Sequence, residues 1–243
     1  MKINIKLLIG FIYSFCFIAL MFLIFSKFQL QEITNINFVK NYQQIISDYK
    51  SSNETLLLTL FFIGGIIWVL LLGFASPLAI AAGFIFGKWI GTLVTILACS
   101  IGSVSLFILA NLFLKEFIKK KLSSKINKFI KLFNKNEFLY FMLFRVTGGP
   151  GVPFAIQNVL PVIFNMKIKN YFFATLLGIL PGVFVLSSVG SGLDKFINKF
   201  DNIKWDQLLY DPEIYLPLVG FVIIIILSIA IEKFFFNKKN YEK

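Results

Sequence analysis

The chain contains no histidine, two cysteines and a single arginine, Arg145, among 243 residues. Without histidine there is no Ser-His-Asp triad, no imidazole base and no histidine metal ligand, so most hydrolytic chemistry loses its parts. Cys16 and Cys99 stand far apart, each inside an apolar run and without metal-ligand spacing; they read as buried structural thiols. Acidic residues are also few, 12 against 24 basic ones, and no nucleophile with a base partner is visible. Neither an enzyme nor any cofactor is expected, and nothing in the chain calls for ATP or a metal.

Apolar residues are what the chain has in excess. A hydrophobic fraction of 58% and a mean hydropathy of +0.81 exceed the roughly 45–50% apolar usage of soluble domains. An integral membrane protein is expected, with no Ser/Gly/Pro-rich linker to divide it. Lys2 and Lys6 precede an apolar run over 7–25. That run is longer than the roughly 7–15 residues of a signal-peptide core and lacks a small-x-small cleavage site, so it reads as a retained first span.

Six apolar regions stand out, at 7–25, 56–86, 89–114, 138–164, 171–189 and 214–231. Four are continuous and close to the roughly 20 residues that cross a bilayer as a helix. The other two are interrupted: 56–86 by Gly73-Phe74-Ala75-Ser76-Pro77 and then Gly83 and Gly87, and 138–164 by Gly148-Gly149-Pro150-Gly151-Val152-Pro153 and then Pro161. Proline removes a backbone donor and glycine weakens a helix. Both segments are expected to bend or unwind in mid-membrane, where protein or a wet cavity must satisfy the freed backbone groups.

Lysine decides the topology. Cytoplasmic loops are enriched in Lys and Arg near the span ends. Residues 115–135 carry Lys115, Lys119, Lys120, Lys121, Lys125, Lys128, Lys131 and Lys135 against Glu116 alone, and both termini are basic. Lys27, Lys40 and Lys50 are balanced by Glu32, Asp48 and Glu54, while Lys195, Lys199 and Lys204 are outnumbered by Asp194, Asp201, Asp206, Asp211 and Glu213. Six crossings would put the lysine-rich connection outside. If each interrupted segment enters and leaves on one face, every loop obeys the charge rule. The expected fold is therefore an all-α integral membrane protein of four spanning helices plus two opposed re-entrant helical hairpins in an inverted repeat, a design transporters use to build a central site. A six-crossing bundle with proline kinks is the competing reading.

Three connecting segments are amphipathic. Phe117, Ile118, Leu122, Ile126, Phe129, Ile130 and Phe133 recur at three- and four-residue steps among the lysines, the pattern of a helix in the headgroup layer. Phe38, Val39, Tyr42, Ile45, Ile46 and Tyr49 repeat it, as do Leu193, Phe196, Ile197, Phe200, Ile203 and Trp205. The expected partners are membrane lipids with anionic headgroups, which attract near-surface lysines by about 1 kcal/mol each. Nucleic acid is not expected, and a homo-oligomer is compatible with this pattern.

Arg145 lies in the second interrupted segment. Guanidinium carries a fixed charge and a planar set of donors that match phosphate bidentately, whereas lysine is a hydrated point charge. Ionisable groups at membrane depth are functional hypotheses by default. Gly148, Gly149 and Gly151 would offer backbone amides, Pro150 and Pro153 would fix the turn, and Gln157 and Asn158 would add neutral groups on the returning arm. This is an anion receptor in outline. The alternative is structural, with Arg145 pairing with a carbonyl or snorkelling to the interface while Asn158 ties down backbone.

The stretch Arg145-Val146-Thr147-Gly148-Gly149-Pro150-Gly151-Val152-Pro153-Phe154-Ala155-Ile156-Gln157-Asn158, with Gly178-Ile179-Leu180-Pro181-Gly182 and Gly190, resembles the second half of the DedA and SNARE-associated Golgi (VTT domain) family. Ala81-Ala82-Gly83-Phe84-Ile85-Phe86-Gly87, with Gly91 and Gly102, resembles its first half. The resemblance implies two opposed re-entrant hairpins and a role in moving lipid, with bacterial relatives linked to undecaprenyl phosphate return and eukaryotic ones to phospholipid scrambling. It carries the family arginine to Arg145 and the hairpin positions to Pro77, Gly83, Gly87, Pro150 and Pro153. Where several bacterial members have acidic residues in the first hairpin, this chain has Phe74-Ala75-Ser76-Pro77, so proton coupling is not expected and the Golgi-type branch fits better than DedA proper.

The expected organisation is an N-terminal span with an external amphipathic segment (1–54), a VTT-like domain (55–195), and an external amphipathic segment, last span and basic tail (196–243). The expected function is translocation or scrambling of phosphate-bearing lipids without ATP. A transporter of small anionic solutes and a non-transporting membrane scaffold are the rivals. The expected location is the bacterial cytoplasmic membrane, both termini cytoplasmic.

Overall fold

The computed structural model describes residues 36–121, 133–148, 152–199 and 210–237. The first span at 7–25, most of the lysine-rich connection, Gly149, Pro150 and Gly151, and Phe200, Ile203 and Trp205 lie outside the described residues. Every regular element among the described residues is helical: α1 (Ile36–Leu70), α2 (Ala75–Lys121), α3 (Glu137–Val146), α4 (Phe154–Val159), α5 (Pro161–Phe164), α6 (Ile168–Lys199) and α7 (Pro212–Asn237). The chain divides into two compact units, Met1–Leu57 and Leu58–Lys243.

In the first unit, Tyr42, Ile45 and Tyr49 of the expected amphipathic face are exposed on α1. The Ser51 and Ser52 hydroxyls donate to the Asp48 carbonyl at 2.7 and 3.2 Å. Such local bonds compete with the helical ladder, and helical geometry fails at the next residue, Asn53 (φ −144°, ψ 44°).

In the second unit, α1 ends in a reversal over 71–74. The Gly73 amide reaches back to the Trp68 carbonyl at 2.8 Å and the Leu72 amide to Val69 at 3.0 Å, with Leu72 in the left-handed region (φ 64°). That bond pattern is a Schellman cap with leucine where glycine is usual. The Trp68 indole covers Gly73 and donates to the Phe74 carbonyl at 2.8 Å. Pro77 falls in the first turn of α2, where its missing N–H costs no ladder bond.

A second reversal divides α2 at Gly87 (φ 79°, ψ 170°), a conformation that glycine adopts without strain. A Cβ on Gly65 would meet Leu78 at 3.2 Å and Ala98 at 3.1 Å, and one on Gly102 would meet Val69 at 2.8 Å. Residues 75–86 therefore fold back along 58–70, which runs parallel to the long stretch from 88. The turn at 71–74 consequently falls beside the middle of that stretch. At about 1.5 Å per residue, 75–86 is about 18 Å long, against about 30 Å of hydrocarbon.

The second interrupted region has the same form. Helix α3 has 10 residues, about 15 Å, and α4 with α5 covers about 16 Å. The Asn136 side chain accepts from the Leu139 amide at 3.2 Å and opens α3. Pro161 starts α5, and Asn165 (φ 49°) ends it in the left-handed region.

Helix α6 closes the unit against α2. The Ser187 hydroxyl donates to the Ala79 carbonyl at 3.1 Å. A Cβ on Gly83 would stand 2.0 Å from the Ser187 carbonyl oxygen, and one on Gly190 2.0 Å from that of Ile80. Gly83 is thus not at a turn; it sits within a helix at a contact where only hydrogen fits. Two buried clusters result. One gathers Phe107, Phe133, Phe141, Val162 and Tyr171. The other joins Val69, Ala79, Ile96, Cys99, Ile179 and Val183, with Ala75 and Phe154 packed against it. Residues flanking both interruptions, Val69 with Ala75 and Phe154, thus share one core.

Three described helices are long and apolar enough to cross a membrane: Lys40–Leu70, Ala75–Phe113 and Ile168–Ile197; Phe154–Phe164 and Pro212–Leu227 are shorter apolar helices. After the reversal at Gly87, α2 runs on as one continuous helix. Helix α7 is apolar around its circumference and exposes Leu216, Val219, Val222 and Ile226, a surface suited to lipid.

Candidate functional site

Arg145 occupies the last turn of α3 and is 3% exposed. It is the one charged residue among the buried described residues. Its Nη1 donates to Gln157 Oε1 at 3.2 Å, and its Nη2 donates to Tyr171 OH at 3.1 Å and, closely, to Asn158 Oδ1. The guanidinium carbon lies 5.0 Å from the ring centre of Phe141 and 4.9 Å from that of Phe154, within cation–π range. Among the described residues it has no carboxylate partner, and every oxygen it reaches is neutral. The Nε has no acceptor among them either.

The neutral shell is itself fixed. Asn158 Oδ1 also accepts from Ser103 Oγ of α2 at 3.0 Å, so one oxygen joins α3, α4 and α2. Arginine and the serine donor both require an acceptor there, which sets the amide orientation. Gln157 Nε2 donates to the Gly148 carbonyl at 2.9 Å and the Val152 carbonyl at 2.7 Å. It thereby ties together both ends of the loop between α3 and α4. Tyr171 stands near the start of α6 in contact with the Phe107 and Phe141 rings at 5.0 and 5.2 Å.

The residues expected at the site fall into three groups. Arg145, Gln157 and Asn158 are brought together. Gly148 adjoins them with φ 74°, but its N–H donates to the Arg145 carbonyl at 3.0 Å, so this amide is occupied within the turn. Pro153 precedes α4 in an extended conformation, and its carbonyl accepts from the Gln157 amide at 3.0 Å. Gly149 and Pro150 lie outside the described residues. Pro77, Gly83 and Gly87 belong to the other interrupted region. Tyr171 and Ser103 were not distinguished by the sequence: a tyrosine heading an apolar run and a serine between small residues carry no local mark.

A fixed cation surrounded by neutral oxygens can exchange one of them for an anion. The bonds to the amide oxygens are already charge-assisted from the donor side; a phosphate oxygen adds the counter-charge, whose lack costs a buried ion several kcal/mol.

Residues 73–192 match the VTT domain. A Transmembrane protein 41 homolog of Caenorhabditis elegans is 25% identical over 76% of this chain and 76% of its own length. Protein YqeD of Bacillus subtilis (strain 168) is 27% identical over 65% of this chain and 70% of its own. Human Transmembrane protein 41B is 22% identical over 100% of this chain and 82% of its own. No solved structure matches the chain.

Proposed function

The chain belongs to the VTT-domain family of membrane proteins, on the SNARE-associated Golgi side, and we propose from this that it moves phosphate-bearing lipids between leaflets without ATP. The carrying observation is Arg145, a buried charge whose hydrogen-bond partners among the described residues, Gln157, Asn158 and Tyr171, are all neutral. A headgroup phosphate replaces the Gln157 and Asn158 oxygens on the guanidinium. Its charge is balanced at mid-membrane while the acyl chains stay in the bilayer.

The short arms support two re-entrant hairpins, 58–70 with 75–86 and α3 with α4–α5, dipping from opposite faces and meeting near Val69 and Phe154. Four crossings then remain, at 7–25, 88–113, α6 and α7, with both termini in the cytoplasm of a bacterial cell. Residues 55–195 form the transporting part, flanked by 1–54 and 196–243. Gln157 holds the Gly148 and Val152 carbonyls, so a headgroup that displaces Gln157 from Arg145 enters beside Gly148 and Pro153.

The test uses proteoliposomes of the full chain. Lipid flip above that of empty vesicles is expected, read with acyl-labelled phospholipid. Uptake of a small anion such as phosphate with no lipid flip would assign the site to soluble cargo instead.

A further inference from the structure

At the far end of α3 from Arg145 lies a second feature with chemistry. A cavity of about 420 Å³ opens between the starts of α3 and α6 and the end of α5, lined by Lys135, Glu137, Phe138, Phe164 and Lys167 among others. Its size falls in the range of small-molecule sites, about 300–1,000 Å³. Along α3, Glu137 and Arg145 are separated by about 12 Å.

The lining carries both signs of charge. Lys135 and Lys167 are exposed. Glu137 is held: its Oε1 accepts from Asn170 Nδ2 at 2.6 Å, and the Lys167 backbone amide is shared between Oε1 at 3.3 Å and Oε2 at 3.4 Å. Among the described residues Oε2 therefore has only the long share of one donor. A carboxylate oxygen accepts more than one bond, so it retains capacity for an ammonium group. Phe138 and Phe164, the latter stacked on Phe133 at 4.2 Å between ring centres, supply the apolar part of the wall, and Asn134, Asn136, Asn165 and Asn170 supply the rest. Two ammonium groups, one carboxylate, neutral amides and a pair of phenylalanines are the complement of a phosphate, an amine, an ester region and the first methylenes of an acyl chain.

We propose that this cavity is an interfacial docking site for a zwitterionic phospholipid whose headgroup carries a primary amine. Lys135 and Lys167 hold the phosphate, Glu137 Oε2 holds the ammonium, and Phe138 and Phe164 take the start of the acyl chains. The site lies beside the lysine-rich connection, and it loads lipid at one end of the helix whose other end bears Arg145. The inference rests on the lipid-translocation reading for the source of its ligand, the bilayer, and adds the headgroup class.

Full-length protein in detergent micelles is titrated with dihexanoyl phosphatidylethanolamine, dihexanoyl phosphatidylglycerol and inorganic phosphate, with binding read by calorimetry. Phosphatidylethanolamine should bind most tightly. The double variant Lys135→Ala/Lys167→Ala should weaken it about tenfold, and Glu137→Gln should remove its advantage over phosphatidylglycerol. Equal affinity in wild type and the double lysine variant overturns the proposal. So does inorganic phosphate binding as tightly as the lipid, which would mark a free-anion site. If Glu137→Gln fails to fold, the lysine variant decides, because both side chains are exposed. Binding needs no transport, so absent lipid flip counts against the translocation reading and leaves this one standing.

Discussion

Gly178 of α6 faces the stem of Arg145 so closely that a Cβ there would lie 2.4 Å from Arg145 Cβ and 2.9 Å from the Met142 carbonyl oxygen. The guanidinium owes its position to this missing methyl group. Gly178→Ala should push α3 off α6 and destabilise the protein by about 1–3 kcal/mol, the usual cost of overpacking. Gly182, whose nearest neighbour to an added Cβ is Phe221 at 3.8 Å, should accept alanine without loss. Thermal unfolding of the purified protein checks both.

Asn158→Asp separates the two roles open to Arg145. An aspartate would supply the buried counter-ion that the described shell lacks. Stability should hold or rise, because a buried charge gains a partner in hydrogen-bond contact, and lipid flip should fall about tenfold as the guanidinium loses its need for an external anion. Undiminished flip with a normal melting temperature would mean that Arg145 does not bind the cargo.

Much of this arrangement was legible because proline and glycine mark where an apolar helix cannot continue. The Gly-Pro clusters located both interruptions, and the isolated arginine located the polar centre. The first turn, however, centres on Leu72 rather than Pro77, since leucine shows no preference for the left-handed region and the Trp68 indole that stabilises the turn acts only once folded. Gly83 and Gly87 look alike in sequence. One serves close helix contact and the other reverses the chain, and which is which depends on where α6 packs. The Ser103 bond to Asn158 joins residues 55 apart, beyond the reach of any local pattern.

The reversal at Gly87 should tolerate no side chain. At φ 79° and ψ 170° it occupies a region open essentially only to glycine, where another residue costs roughly 1–3 kcal/mol, so Gly87→Ala should lower stability by about that much. Gly220, in α7 with open space where a Cβ would go, should be stabilised by alanine through helix propensity, by about 1 kcal/mol or less. Denaturation curves of the two variants should move in opposite directions.

Opposed hairpins predict opposed accessibility. On a Cys16→Ser/Cys99→Ala background, Ser76→Cys and Thr147→Cys should react with an impermeant maleimide from opposite faces of sealed vesicles. Ser123→Cys in the lysine-rich connection should react from the cytoplasmic face alone. Labelling of Ser123→Cys only from outside would contradict the orientation, and labelling of Ser76→Cys and Thr147→Cys from the same face would remove the inverted repeat.

The central claim is that a buried guanidinium with no carboxylate partner among the described residues carries lipid phosphate through the bilayer. Lipid flip in proteoliposomes, compared between wild type and Arg145→Ala at matched protein content and with melting temperatures recorded, tests it most directly. Flip should drop by at least about tenfold, the loss of one charge-assisted contact of roughly 1.5–3 kcal/mol, in a protein that remains folded. Equal rates in the two proteins would contradict the account.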